Sequence, residues 1–181
     1  MGTRTLVLLR HGQYDTEQRG ALTPLGREQA RASAEWLKGI RFHSVWSSTL
    51  PRAKETASIV VKHAFNNRLN VKHTGLLREG IYTRVEGYEI PASEQREDRT
   101  RADAAYMKFF RPSRTERTEL IVCHGNLIRY LICRALHTPV VKWLRMTTNH
   151  CGITRVLVRD SGAVRVVSYN ETTHLPNKLV T

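Results

Sequence analysis

Two stretches of this 181-residue chain carry an apolar run straight into a histidine and a glycine. Leu6-Val7-Leu8-Leu9 ends on Arg10-His11-Gly12, and Leu120-Ile121-Val122-Cys123 ends on His124-Gly125-Asn126. Short, continuous apolar runs read as buried strands, so each delivers an imidazole at a carboxyl end. Ser47-Ser48 closes a third run, with Arg52 just beyond Pro51, and a fourth leads through Leu76-Leu77 to Arg78-Glu79. Brought to one edge, these residues supply two imidazoles, the Arg10 and Arg52 guanidiniums, one carboxylate and the free N–H groups of a helix start. Such a set suits an anion, and a phosphoryl group in particular. Arginine presents forked donors to phosphate oxygens, and a helix N-terminus adds backbone donors. Taken singly, each residue is ordinary, since a histidine after a strand is usually structural and a loop glutamate usually solvated. The weight lies in five such groups at matching strand ends.

The elements that must hold them follow from periodicity and capping. A strand spans about 5–9. Thr23 is a natural N-cap, Pro24 suits the first helical position and Gly39 the exit, predicting a helix over 24–38. A short strand at 44–47 precedes a helix opening near Pro51, whose Ala53, Ala57, Val60, Val61 and Ala64 share a face. A strand near 69–74 leads to a polar stretch over 81–99 without a convincing period. A helix near 101–110, a strand at 119–123 and a helix carrying Leu127, Ile128, Leu131 and Ile132 on its apolar face come next. Two final strands flank Asp160-Ser161-Gly162, a hairpin signal. Strands alternating with helices predict an α/β fold with a mostly parallel sheet, and in such sheets ligands bind beyond the carboxyl ends of the strands.

Composition narrows the classes. Apolar content of 40% and charged content of 25% are those of an ordinary globular protein. No stretch approaches the ~20 apolar residues of a membrane span. Cys123, Cys133 and Cys151 lack metal-ligand spacing and read as buried, reduced thiols. Lys plus Arg number 29 against 16 Asp plus Glu, a net charge of +13 that favours an anionic partner. The basic residues are scattered and no nucleic-acid motif accompanies them, so no specific nucleic-acid partner is expected. Met1-Gly2 hints at myristoylation, but Leu6 stands where that motif needs Ser or Thr. No signal-peptide pattern is present, and a targeting segment could have been removed; a cytoplasmic or mitochondrial location is left open.

"LLRHGQ", "TPLGREQA", "SSTLPRAKETA", "LLREG" and "IVCHGNLIRYL" stand in the order and spacing of the histidine phosphatase superfamily, which this sequence resembles from end to end. Within it the pattern is most similar to the mitochondrial phosphoglycerate-mutase-like serine/threonine protein phosphatases. The resemblance implies one histidine phosphatase domain over 1–181, a phosphoglycerate-mutase-like three-layer αβα sandwich with a mostly parallel central sheet. It implies a pocket-covering segment near 81–99. It assigns His11 as the nucleophile that forms a phosphohistidine, Glu79 as general acid and base, and Arg10, Arg52 and His124 as the groups that bind the phosphoryl oxygens. Gln13 and Asn126 are further phosphate-binding candidates, although Asn126 could equally cap its helix. Arg129, Ser47, Ser48 and His174 read as structural. No metal or other cofactor is expected, because the guanidiniums can supply the charge stabilisation. Mutases carry a Glu-Arg-His-Tyr-Gly run and a long insertion that "LREGIY" and its short continuation lack, which argues against mutase activity. The expected reaction is phosphomonoester hydrolysis on phosphoserine and phosphothreonine proteins. The alternatives are the same chemistry on a small phosphometabolite and a catalytically weak binding scaffold. A homodimer is left open.

Overall fold

The computed structural model describes residues 2–181; Met1, where the myristoylation motif would start, lies outside them. Side chains alternate between the faces of a strand, yet Leu6, Val7, Leu8 and Leu9 are all buried, so both faces of β1 (Thr3–Arg10) are covered. Leu6 and Leu8 join one apolar cluster, and Val7 and Leu9 join a second on the opposite face.

β1 pairs in parallel with β4 (Arg117–Cys123), β4 with β2 (Ser44–Ser48), and β2 with β3 (Val71–Thr74). On its other side β1 pairs antiparallel with β5 (Ile153–Arg159), which turns through 160–163 into an antiparallel β6 (Val164–Glu171). The sheet is six-stranded, mixed and mostly parallel, in the order β3-β2-β4-β1-β5-β6. Two helices, α1 (Pro24–Leu37) and α2 (Pro51–Phe65), cover one face through Ala30, Ala34, Ala53, Ala57 and Val60. The other face lies under α3 (Ala92–Phe109) and α4 (Gly125–Ala135), which bury Ala102, Ala105, Leu127, Ile128 and Leu131. These are the expected α/β layers. Among the described residues no helix is long and apolar enough to cross a membrane.

One helix is longer than the sequence suggests. α3 starts at Ala92, not near 101, and takes up much of the segment expected over 81–99. Between Ala92 and Glu97 the side chains are exposed except for the half-buried Gln95, so no apolar face announces these turns; burial begins with Asp98 and Ala102. Irregular chain remains only between Arg78 and Pro91, interrupted by a bridge from Val85 to Tyr88.

The start of α1 is locked against the loop after β1. Thr23 caps the helix by accepting the Gly26 N–H at 3.0 Å. A Cβ on Gly26 would lie 2.0 Å from the Gln13 carbonyl oxygen, and one on Gly12 would lie 2.4 Å from that of Gly26. Both obstacles are backbone, so no rotamer relieves them. Helix propensity alone would reward Gly26→Ala by about 1 kcal/mol, whereas overpacking costs about 1–3 kcal/mol or more. A backbone obstacle puts the cost at the upper end of that range, so urea denaturation should show a net loss of about 2 kcal/mol for Gly26→Ala. Gly39→Ala, whose Cβ meets nothing within 4 Å, should change stability by less than about 0.5 kcal/mol. A stabilised Gly26→Ala protein would refute the close approach.

Candidate active site

The carboxyl ends of β1, β2 and β4 share one sheet edge, and they bring His11, Ser48 and His124 together. His11 is pinned through its backbone: its N–H donates to the Cys123 carbonyl at 3.0 Å, and its carbonyl accepts from the Cys151 N–H at 3.3 Å. Its side chain is buried. Nδ1 lies 2.8 Å from the Gly12 carbonyl oxygen. A carbonyl only accepts, so Nδ1 carries the proton and Nε2 presents its lone pair. The Arg52 Nε–H points at that lone pair from 3.1 Å. Burial, then the neighbouring His124, Arg10 and Arg52, hold the imidazole well below its ordinary pKa, outweighing the Gly12 hydrogen bond. At neutral pH His11 is uncharged.

His124 occupies the N-cap position of α4, and its ring centre lies 4.9 Å from that of His11. Ser48 Oγ lies 2.8 Å from Nε2 and itself accepts the Leu50 N–H at 3.2 Å, which frees the hydroxyl proton for the imidazole. Nδ1 then bears the ring proton, and it is buried without a hydrogen-bond partner. Burial, followed by Arg52, Arg10 and Arg78, lowers the pKa of His124 to about 2.

Arg10 is held from the far side. It donates through Nη1 to the Thr148 carbonyl and through Nη2 to His150 Nε2 at 3.1 Å, while its buried Nε has no partner. Arg52, second residue of α2, lies with its guanidinium 4.3 Å from the centre of the Tyr14 ring.

Glu79 comes from the irregular segment and reaches the start of α4, where Oε1 accepts the Leu127 N–H at 3.3 Å. The residue is only partly buried as a whole, but its carboxyl is enclosed. Desolvation raises its pKa to about 7 against the opposing pull of Arg10, Arg52, the Leu127 amide and Arg129. Its loop is gripped by α3: Arg101 Nη2 donates to the Glu79 carbonyl at 2.9 Å, and Asp98 Oδ2 accepts the Ile81 N–H at 2.8 Å.

Of two further sequence candidates, Asn126 has both ends of its amide engaged elsewhere, and Gln13 its oxygen. Asn126 donates through Nδ2 to the Gly80 carbonyl at 3.1 Å and accepts from Arg129 through Oδ1, so it ties the Glu79 loop to α4. Gln13 accepts the Thr23 hydroxyl at 2.8 Å. Arg129 itself spans to the Met146 carbonyl at 3.1 Å, and His174 meets the Ser33 hydroxyl at 3.1 Å; both serve packing.

His150 is the residue that sequence reasoning missed. Its ring centre is 5.7 Å from that of His11, and it directs Arg10. Burial and then Arg10 lower its pKa to about 4, so it is neutral and accepts through Nε2, while Nδ1 pairs with Thr181 Oγ1 at 3.0 Å. In a parallel β4-α4-β5 unit the residues before β5 would lie at the opposite edge. β5 is reversed, and its amino end joins the site. The only signal was a further His-x-Gly group, His150-Cys151-Gly152, abutting an apolar strand.

The sequence model of the Histidine phosphatase superfamily (branch 1) matches residues 6–119 and 97–172. The mitochondrial serine/threonine-protein phosphatase Pgam5 of Caenorhabditis elegans is 40% identical over 189 residues, covering 98% of this chain; the chain spans 66% of that relative's length. The phosphoglycerate mutase of Plasmodium falciparum superposes with a TM-score of 0.69 at 30% identity, covering 98% of this chain and 96% of its own. The YhfR protein of Bacillus stearothermophilus shares the fold, with a TM-score of 0.79 at 24% identity over 96% of this chain and 100% of its own. With its paired strand-end histidines and a sequence match over most of its length, the chain belongs to branch 1 of the histidine phosphatase superfamily.

Proposed function

We propose that this chain hydrolyses phosphomonoesters through a phosphohistidine at His11, and that its substrates are phosphoserine and phosphothreonine proteins. The observation that carries the chemistry is the tautomer of His11. With the proton held on Nδ1 by Gly12, the Nε2 lone pair faces Arg52 in a pocket where two guanidiniums and a second imidazole converge. The protein substrate rests on likeness to the serine/threonine phosphatases, 40% identical in the nematode case.

In the first step Nε2 attacks phosphorus and the ester P–O bond breaks. Arg10, Arg52 and the Nδ1–H of His124 take up the charge on the equatorial oxygens. The unpartnered Nε of Arg10 and Nδ1 of His124 are donors that a phosphoryl oxygen would satisfy. Its negative charge would also offset the cations that hold His11 and His124 neutral. Glu79, protonated near neutrality, gives its proton to the departing alkoxide. In the second step the resulting carboxylate takes a proton from water, the water oxygen attacks phosphorus, the P–N bond breaks and His11 is restored. No metal has a role in either step. Asn126 acts by holding the loop that carries Glu79, its amide being engaged at both ends, while Gln13, whose Oε1 accepts from Thr23, keeps its Nε2 donors for phosphate.

A small phosphometabolite is the second reading, favoured by the 30% identity to a phosphoglycerate mutase. Comparing turnover of a phosphopeptide library with that of a metabolite panel separates the two.

The nucleophile is tested by trapping. Enzyme quenched in denaturant at alkaline pH after mixing with labelled substrate should retain base-stable, acid-labile phosphate. His11→Ala should abolish that label and lower turnover roughly a thousandfold or more. Near-normal turnover by His11→Ala would remove the mechanism.

Glu79 is tested by leaving group and pH together. Single-turnover phosphoenzyme formation from a phosphoserine peptide should fall as pH rises through about 7, where Glu79 loses its proton. Glu79→Gln should slow that step by about 10²- to 10⁴-fold. With nitrophenyl phosphate, whose leaving group hardly needs a proton, both effects should be small. Equal losses on the two substrates would mean that Glu79 shapes the pocket and transfers no proton.

A further inference from the structure

The basic residues that the sequence scatters are gathered again at the amino ends of the strands, across the sheet from His11. We propose that they form a second anion-binding site, separate from the catalytic edge, for a compact phosphate or short polyphosphate.

A cavity of about 220 Å³ opens there between the first residues of β1, β2 and β4 and the end of α3. Arg4, Lys72, Lys108, Arg111 and Arg117 border it, and Glu119 is the one carboxylate among its lining residues. That carboxylate is already committed three times. It meets Arg4 Nη1 at 3.2 Å and Arg117 Nη2 at 3.6 Å, and it accepts the Ser44 hydroxyl at 3.0 Å. The Arg4 and Glu119 side chains are each only 7% exposed, so one buried acid must serve two guanidiniums, one of them buried with it. The Nε–H groups of Arg4 and Arg117 are buried without a hydrogen-bond partner, as is Glu119 Oε2, which the Arg4 guanidinium neutralises at 3.2 Å. Burial lowers the pKa of Arg4 most, and Arg111 and Arg117 lower it further, with Glu119 alone opposing them. An incoming anion here relieves repulsion among cations that one carboxylate serves, the reverse of the usual cost of burying a charge.

The two lysines are held at the rim. Lys108 Nζ lies 4.2 Å and Lys72 Nζ 5.3 Å from the centre of the Trp46 ring, within cation–π range. They also occupy that ring, so a nucleobase gains no stacking surface. The volume is that of about seven waters, room for a phosphate or diphosphate and not for a folded partner. Forked guanidiniums favour phosphate oxygens over a point anion such as chloride.

The test is calorimetric titration of inorganic phosphate, pyrophosphate and tripolyphosphate, each at fixed ionic strength in chloride, into His11→Ala protein, which prevents turnover. Two sites are expected for the preferred anion. Adding Arg10→Gln should remove the catalytic one. Adding Lys108→Gln and Arg111→Gln, or alternatively Lys72→Gln and Lys108→Gln, should weaken the other roughly tenfold or more. These residues border the cavity without filling the core, and an unchanged melting temperature in chloride confirms folding of each variant. In protein with His11 intact, Lys108→Gln/Arg111→Gln should leave nitrophenyl phosphate turnover unchanged. The ranking of the three anions sets the length of phosphate chain that the site takes. A single-site isotherm that disappears with Arg10→Gln, or a second site that survives both cavity variants, would overturn the proposal.

Discussion

The hydrogen bond from His11 Nδ1 to the Gly12 carbonyl is the constraint on which the site depends. It decides which ring nitrogen is free, and it works only if a backbone carbonyl one residue away is held still. Much of the surrounding structure is devoted to that. The Gly12 N–H donates to the Thr56 hydroxyl at 3.1 Å, the Gln13 N–H donates to Gln29 Oε1 at 2.8 Å, and the first turn of α1 packs against both residues where no Cβ would fit. Helices α1 and α2 thus fix a tautomer as much as they cover a sheet face.

Electrostatics then separates two acid–base tasks by environment. Both central imidazoles are buried among guanidiniums, and both effects favour the neutral form. Glu79 is buried as well, but for a carboxyl the two effects oppose. Desolvation raises its pKa, while the same Arg10 and Arg52, with a helix-terminal amide, lower it. The balance falls near neutrality, which suits the acid–base role proposed for it.

Much of this was legible in the sequence because the strand ends are punctuated. Arg-His-Gly and His-Gly-Asn sit where buried apolar runs stop, and Thr23-Pro24 marks the start of a helix to the residue. The first turns of α3 were illegible because they bury almost nothing. His150 was hidden for another reason: strand direction depends on the partner across the ladder, β1, and not on any local pattern. The partners of Asn126 and Ser48 were hidden for a related reason. Residue type showed hydrogen-bonding capacity, but the partners, Gly80 and His124, are set by packing between distant segments.

His11 and Glu79, the proposed nucleophile and proton donor, are mounted on parts of unequal stiffness. His11 is clamped between central strands, whereas Glu79 hangs from a loop held by Arg101, Asp98 and Asn126. Local openings draw first on segments with few buried contacts, and the exposed start of α3 is such a segment. An opening that carries Glu79 into water returns its carboxyl to the ordinary acidic range and leaves Arg10, Arg52 and both imidazoles in place. An opened molecule would therefore keep its anion-binding groups assembled while lacking the carboxyl. The rigidity of the anion pocket and the placement of the carboxyl are thus set by different parts of the fold.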